Sequence, residues 1–350
     1  MKNKFIKLLA GILAVTIVFV CFAGFKKSEK FDTALPDLND GNWTETLHTD
    51  FTEIKNMEQL ENAGWTASPH GLRNVEYWCD QMVDFSDEGV VVHSEKQTNH
   101  QCDVCGVSEG IFTSGIETRK ISEDGYADHL FEQAYGYFEA TVIVPRGTGM
   151  WSAFWLQSDC VGKVGNKGRD GSEIDIYESS FMRENPTKTG QAIHYDAYNA
   201  PWYRSDGNVT DVGYDLYDGR PHKYALKWTP DEYVIYVDDA PVWASNYGGV
   251  SQVPEFLRLT VEIRPEQWGP YGQKLEDFEN NSDGTNDFII KEVKVYQNKD
   301  YTDFIKSDDN FKDMEVFYIC CIVISSLVAA AAIVCIVIFT VKKIKARKSK

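Results

Sequence analysis

Between Gly171 and Ser180 the chain reads Gly-Ser-Glu-Ile-Asp-Ile-Tyr-Glu-Ser-Ser, which sets three carboxylates, Glu173, Asp175 and Glu178, within six positions. Acidic residues are poor strand formers, whereas Ile174, Ile176 and Tyr177 are good ones, so the run predicts a strand that carries its carboxylates on one face. Side chains two apart on a strand share a face, so Glu173 and Asp175 point together. Glu178 lies an odd five positions from Glu173, and in a regular strand it would point the opposite way. One extra residue in a β-bulge restores the parity, and bulges occur beside active sites, where they re-aim a side chain. The pattern therefore predicts three acids in a row in one groove. Spacing alone leaves open a solvated acidic strand or a calcium-binding loop.

A retaining glycosidase needs two carboxyl groups about 5 to 5.5 Å apart, one to attack the anomeric carbon and one to protonate the leaving oxygen. A third acid between them supplies tuning, because like charges in close quarters resist full ionisation and keep one carboxyl protonated near neutral pH. The run resembles the active-site signature of glycoside hydrolase family 16, the laminarinase and lichenase family, in its longer, bulged form Glu-x-Asp-x-x-Glu. The segments Tyr135-Gly136-Tyr137-Phe138-Glu139-Ala140, Gly149-Met150-Trp151-Ser152-Ala153-Phe154-Trp155, His222-Lys223-Tyr224-Ala225-Leu226-Lys227-Trp228 and Tyr236-Val237-Asp238 also resemble that family.

The resemblance covers residues 45–298 and implies an all-β, concanavalin-like β-jelly-roll sandwich of two antiparallel sheets. It implies Glu173 as nucleophile, Glu178 as acid/base and Asp175 as electrostatic helper, with no cofactor required and no metal in the chemistry. It further implies a β-linked polysaccharide as substrate, most commonly a β-1,3- or mixed-linkage β-glucan. A transglycosylase that passes the same intermediate to a sugar acceptor is the alternative within the enzyme class. A non-catalytic carbohydrate-binding adhesin on the same fold is the alternative outside it. His194 resembles the family histidine beside the acid/base, and Trp268 stands where the family commonly has a cleft tryptophan. Many members bind a structural calcium through an Asp in the closing strand; Lys291 stands at the matching position here. A cation cannot ligate a cation, so that calcium site is expected to be absent or rebuilt.

The residues themselves support an all-β body. Short strand-like stretches recur from Trp43 onward, among them Gly89–His93, Ile111–Gly115, Gly136–Val144, Phe256–Ile263 and Asp287–Tyr296, with Gly, Asp and Asn between them. Asp238-Asp239 marks a tight turn between Tyr233–Val237 and Ala240-Pro241-Val242. In Trp151–Gln157 the alternation puts Trp151, Ala153 and Trp155 on one face and Phe154 and Leu156 on the other. Phe154 and Leu156 are expected in the core. Trp151 and Trp155 are candidate platforms for sugar rings, with ordinary sandwich core as the other reading.

The two ends read differently. Lys2, Lys4 and Lys7 precede an uncharged run from Leu8 to Phe25, the pattern of a signal peptide cleaved after Ala23 or of an uncleaved signal anchor, 1–25. Residues 26–44 read as a linker. After a stalk, 299–315, the run Val316–Val341 holds no charge and is long enough for one transmembrane crossing, and a basic tail follows, 342–350. Positive flanks stay in the cytoplasm, so the middle of the chain is expected outside a cell membrane, single-pass, or two-pass if the first segment is retained. Eleven basic residues lie before residue 28 or after residue 341, so 28–315 keeps 24 basic against 53 acidic residues, a formal charge near −29. Such a surface repels nucleic acid and disfavours polyanionic sugars. A monomer is expected.

Cys79, Cys102, Cys105 and Cys160 fall in the exterior part, and an even number there predicts up to two disulfides of undetermined pairing. Cys102-Asp103-Val104-Cys105, with His93 and His100 nearby, is alternatively a zinc-binding pair.

Overall fold

Alternation decides which way each long strand faces. In Phe256–Ile263 the apolar Leu257, Leu259 and Val261 are fully buried, while Arg258, Thr260 and Glu262 between them line a cleft on the other side. The computed structural model describes residues 30–122, 127–179, 185–268, 274–280 and 284–348, with backbone alone for 268, 275, 308 and 342–348. The elements from Trp43 onward belong to one unit, Thr33–Lys350. The expected signal or anchor segment, 1–25, lies outside the described residues.

Two antiparallel sheets make the body. One has the spatial order Arg204–Asp211, Lys188–Tyr195, Glu173–Glu178, Met150–Gln157, Phe256–Ile263, Gly115–Glu117, Thr66–Ala67. The other runs Ala240–Ser245, Tyr233–Val237, His222–Trp228, Gly136–Ile143, Phe288–Asn298, Gly89–Val92, Val83–Ser86, with Trp43–Asp50 also paired to Phe288–Asn298. Strands adjacent in a sheet are often far apart in sequence, as in a jelly roll. The expected core pair, Phe154 and Leu156, meets Phe138, Ala140 and Val142 of the facing sheet in one buried cluster. Tyr177 and Tyr224 bridge the two layers with ring centroids 4.1 Å apart.

Local chemistry explains the joints. Asp238 and Asp239 adopt φ of 47° and 69°, the left-handed pair of a two-residue hairpin turn, between Tyr233–Val237 and Ala240–Ser245. The Asp238 carboxylate fixes the turn by accepting from Tyr214 Oη at 2.8 Å and from the Lys223 N–H at 2.8 Å. The expected strand Ile111–Gly115 is in fact divided: Gly110–Thr113 joins a small sheet and Gly115–Glu117 the large one, with Ser114 as the corner. A Cβ at Gly115 would fall 2.7 Å from the Thr260 Cα, so only glycine permits this close approach.

The small sheet has the order Gly71–Leu72, Glu76–Trp78, Gly110–Thr113, Glu95–Gln97. Among the described residues Cys79, Cys102, Cys105 and Cys160 are free thiols. Cys79, Cys102 and Cys105 meet at one point on the small sheet, together with His70. Cys160 is buried in a separate turn, Asp159–Gly162, beside Ser158 and Gly171. Lys291 directs its ammonium to the Glu88 carbonyl at 2.9 Å. After the last strand a helix, Glu315–Lys348, begins, and its apolar part, Glu315–Val341, is long enough to cross a membrane.

Because Phe154 is fully enclosed between the layers, Phe154→Ala is expected to lower unfolding stability by about 3–5 kcal/mol. A urea titration followed by tryptophan fluorescence measures it. A loss below about 1 kcal/mol would mean that the two sheets do not pack on this residue.

Candidate active site

The strand Glu173–Glu178 contains the irregularity that the spacing of its acids demands. Against Met150–Gln157, Asp175 pairs with Trp155, Tyr177 with Phe154 and Glu178 with Ala153, which leaves Ile176 without a partner. On its other edge Asp175 pairs with Ala192 and Glu178 with Gly190, so Ile176 and Tyr177 together oppose Gln191 alone. Both Ile176 and Tyr177 are buried in the core. Two successive side chains on the core side return the next one, Glu178, to the side of Glu173 and Asp175. All three acids then line one cleft of roughly 930 Å³.

Each acid has its own partners. Tyr198 Oη donates to Glu173 Oε2, and Gln157 Nε2 reaches the same oxygen at 3.4 Å. His194, directly opposite Glu173 in the neighbouring strand, places Nε2 3.1 Å from Asp175 and 3.9 Å from Glu173. Its Nδ1 is hydrogen-bonded to Tyr203 Oη. Trp151 donates its indole N–H to Glu178 Oε1 at 2.8 Å. Behind Glu173, a buried Arg258 holds Gln157 through Oε1 at 3.1 Å and is itself held by Glu117 at 2.9 Å.

These surroundings move the titrations apart. Burial, then the charge of Asp175, pushes Glu178 up to about 8, against the opposing hydrogen bond from Trp151. The same two causes push Glu173 up to about 7, and His194, Tyr198 and Arg258 pull it back. Burial alone would lower His194, but its hydrogen bond to Asp175 and the charges of all three acids carry it up to about 9. At neutral pH the site therefore holds an imidazolium beside Asp175 and Glu173, while Glu178 keeps its proton most readily.

Trp155 lines the cleft but is 7% exposed, and the Arg258 guanidinium covers its ring at 4.0 Å. It forms the floor, with its indole N–H donated to Thr260 Oγ1 at 3.0 Å. Trp151 is the more open of the two tryptophans. Trp268 ends a short turn, Glu266–Trp268, and its side chain lies outside the described residues. Arg258, Thr260 and Glu262 escape the sequence reading although their alternation with Leu257, Leu259 and Val261 signals them. Tyr198 carries no such signal, since it stands in a connection without period.

Residues 78–261 match the model of the glycosyl hydrolases family 16. The chain belongs to this family. Endo-1,3-1,4-beta-glycanase EglC of Rhizobium meliloti (strain 1021) is 31% identical over 154 residues, 43% of this chain and 28% of that protein. A beta-glucanase of Rhodothermus marinus is 34% identical over 106 residues, 30% of this chain and 36% of that one. The chain thus spans about a third of the length of these curated relatives. The laminarinase catalytic domain from Thermotoga maritima MSB8 shares the fold, with a TM-score of 0.54 at 18% identity, covering 73% of this chain and 98% of that one. Porphyranase B from Zobellia galactanivorans does so with a TM-score of 0.56 at 16% identity, covering 77% and 99%. Both comparisons accord with the two-sheet architecture of a family 16 protein.

His194→Gln removes the cation that faces Glu173 and Asp175 and so raises the pKa of Glu173. A group that acts as its anion is then lost at higher pH. The acidic limb of the kcat/KM profile is expected to move upward by about one pH unit. A limb that stays in place would exclude His194 from the electrostatics of the site.

Proposed function

We propose that this chain is a membrane-anchored, extracytoplasmic, retaining endo-β-glycosidase that hydrolyses a β-1,3- or mixed-linkage β-glucan. The reading is carried by the bulge at Ile176, which brings Glu173, Asp175 and Glu178 to one cleft wall. The relatives whose names specify β-glucans favour that substrate class. The acidic surface favours a neutral glycan over a polyanionic one.

In the first half of the reaction Glu173 attacks the anomeric carbon while the glycosidic C–O bond breaks, and Glu178 gives its proton to the departing oxygen. The glycosyl ester that results carries no charge on Glu173. One of the charges that hold the Glu178 pKa up is then gone, so Glu178 is left as a carboxylate suited to take a proton from water. That water attacks the same carbon, Glu173 leaves, and two inversions retain the configuration. Asp175 holds His194 in place and tunes both neighbours. Trp151 orients Glu178 and, through its exposed surface, meets a sugar ring. His194 and Trp268 complete the substrate-binding set.

The catalytic body is assigned to 45–298, the stalk to 299–315 and the membrane helix to 316–341, with the basic residues 342–350 on the cytoplasmic side. The start of the helix is tied to the body: Met314 donates its N–H to the Val164 carbonyl at 2.7 Å, and Trp202 meets Tyr318 with ring centroids 5.5 Å apart. Trp202 adjoins Tyr198 and Tyr203 of the cleft wall, so this anchor would hold the cleft near the bilayer, facing glycan at the cell surface.

The full chain in detergent, offered a panel of polysaccharides, is expected to release reducing ends from a β-glucan, with the newly formed ends in the β configuration by proton NMR. Glu173→Ala should lower kcat by about 10⁴-fold or more while leaving glycan binding. Initial release of α ends would overturn the retaining mechanism. Glycan binding by the parent chain without release of ends from any β-glycan would overturn hydrolysis.

A further inference from the structure

The small sheet carries a cluster that the glycosidase reaction does not use. Cys79, Cys102, Cys105 and His70 bring one ligand atom each to within 4.8 Å of one another. We propose that these four residues bind a structural zinc ion, which pins one wall of the cleft.

Two of the distances between these atoms are close to those of a tetrahedral zinc site. Bonds of about 2.3 Å to sulfur and 2.0–2.1 Å to nitrogen set neighbouring ligand atoms roughly 3.5–3.8 Å apart. His70 Nδ1 is 3.5 Å from Cys105 Sγ and 3.9 Å from Cys102 Sγ. Cys102 and Cys105 form a Cys-x-x-Cys pair whose loop bends back so that the Cys105 N–H donates to Cys102 Sγ at 3.4 Å. Such an amide supports a thiolate ligand. On the far side of His70, Nε2 lies 3.2 Å from Asp80 Oδ1 and 3.3 Å from the Asp80 backbone nitrogen, and a metal-bound histidine commonly gives its other ring nitrogen to such a carboxylate. Cys79 Sγ is met from behind by His100 Nε2 at 3.3 Å, and that ring stacks on Phe112 at 3.8 Å. The zinc alternative read from the sequence is corrected in its partners: His93 turns instead to Asp287, at 2.8 Å, and His100 stands behind Cys79.

A disulfide accounts for the cluster less well. One bridge uses two sulfurs and leaves the third thiol and the imidazole facing it without a role. Zinc uses all four, and on binding the thiols release their protons to solution. Four protein ligands leave no open position, so the ion would be structural rather than catalytic. The small sheet joins the main core through Ile111, and beside it Cys79, Met82 and Phe112 form a small buried cluster of their own, against which Cys102 and Cys105 pack. His70 belongs to the segment Pro69–Asn74 that borders the cleft, and Asn74 Nδ2 there donates to the cleft residue Glu262 at 2.7 Å. Fixing His70 therefore fixes that wall.

The full chain, purified in detergent without chelator, is expected to contain about one zinc per chain by elemental analysis. Cobalt added after chelation should give the intense visible bands of tetrahedral thiolate coordination. Cys102→Ser and His70→Ala should each lose most of the zinc, whereas Cys160→Ser should keep it. Both readouts on the parent chain stand even if a variant fails to fold, and neither depends on glycosidase activity. Zinc below about a tenth of an equivalent together with featureless cobalt spectra would overturn the proposal. So would a disulfide between two of Cys79, Cys102 and Cys105 in non-reducing peptide maps, or zinc content unchanged in Cys102→Ser.

Discussion

A β-strand has two sides, and the candidate active site exists because one strand breaks that rule once. With Ile176 unpaired, Ile176 and Tyr177 both turn to the core and Glu178 turns with Glu173 and Asp175 to the cleft. The bulge is held from beneath. Tyr177 packs on Tyr224 of the facing sheet and its hydroxyl is hydrogen-bonded to Ser152 Oγ at 2.6 Å. Ser152 Oγ also lies 2.8 Å from Ser179 Oγ, so the residue after Glu178 is fixed by the same contact. The turn of Glu178 toward the cleft is thus supported from the core side by packing and hydrogen bonds.

Three carboxylates on one wall repel one another, and the surrounding groups turn that repulsion into a division of labour. His194 brings positive charge to Asp175 and Glu173, and Tyr198 gives Glu173 a hydrogen bond, whereas Glu178 receives one from Trp151. The group with weaker support for its anion keeps the proton. Arg258 reaches the site indirectly, since it is stacked on Trp155 and holds the Gln157 that faces Glu173. The order of the sheet matters here: Phe256–Ile263 and Lys188–Tyr195 come from distant parts of the chain, yet one supplies Arg258 and the other His194.

The cleft wall formed by Pro69–Asn74 has a different support. It belongs to a short sheet, and one of its residues, His70, takes part in the convergence of three sulfurs and an imidazole. The spacing of Cys102 and Cys105 is visible in the sequence, but Cys79 and His70 stand more than twenty residues earlier. Their meeting depends on the parallel pairing of Glu76–Trp78 with Gly110–Thr113, a long-range contact that no local pattern records.

Whatever depends on backbone period and residue type is legible along the chain. The sequence placed Phe154 and Leu156 in the core and Trp151 and Trp155 on the other face, put a tight turn at Asp238 and Asp239, and showed that a bulge would bring Glu178 to the side of Glu173. It also showed the charge-free run that forms the last helix. These are properties of neighbours, fixed by the alternation of side chains and the steric limits of φ and ψ. Long-range pairing settles the rest: Ser114 divides one expected strand between two sheets, Arg258 covers Trp155, Tyr198 comes to Glu173, and His70 completes the cysteine cluster. Each of these joins residues separated by many positions, and such contacts follow from the order in which strands pair, which side-chain period cannot encode.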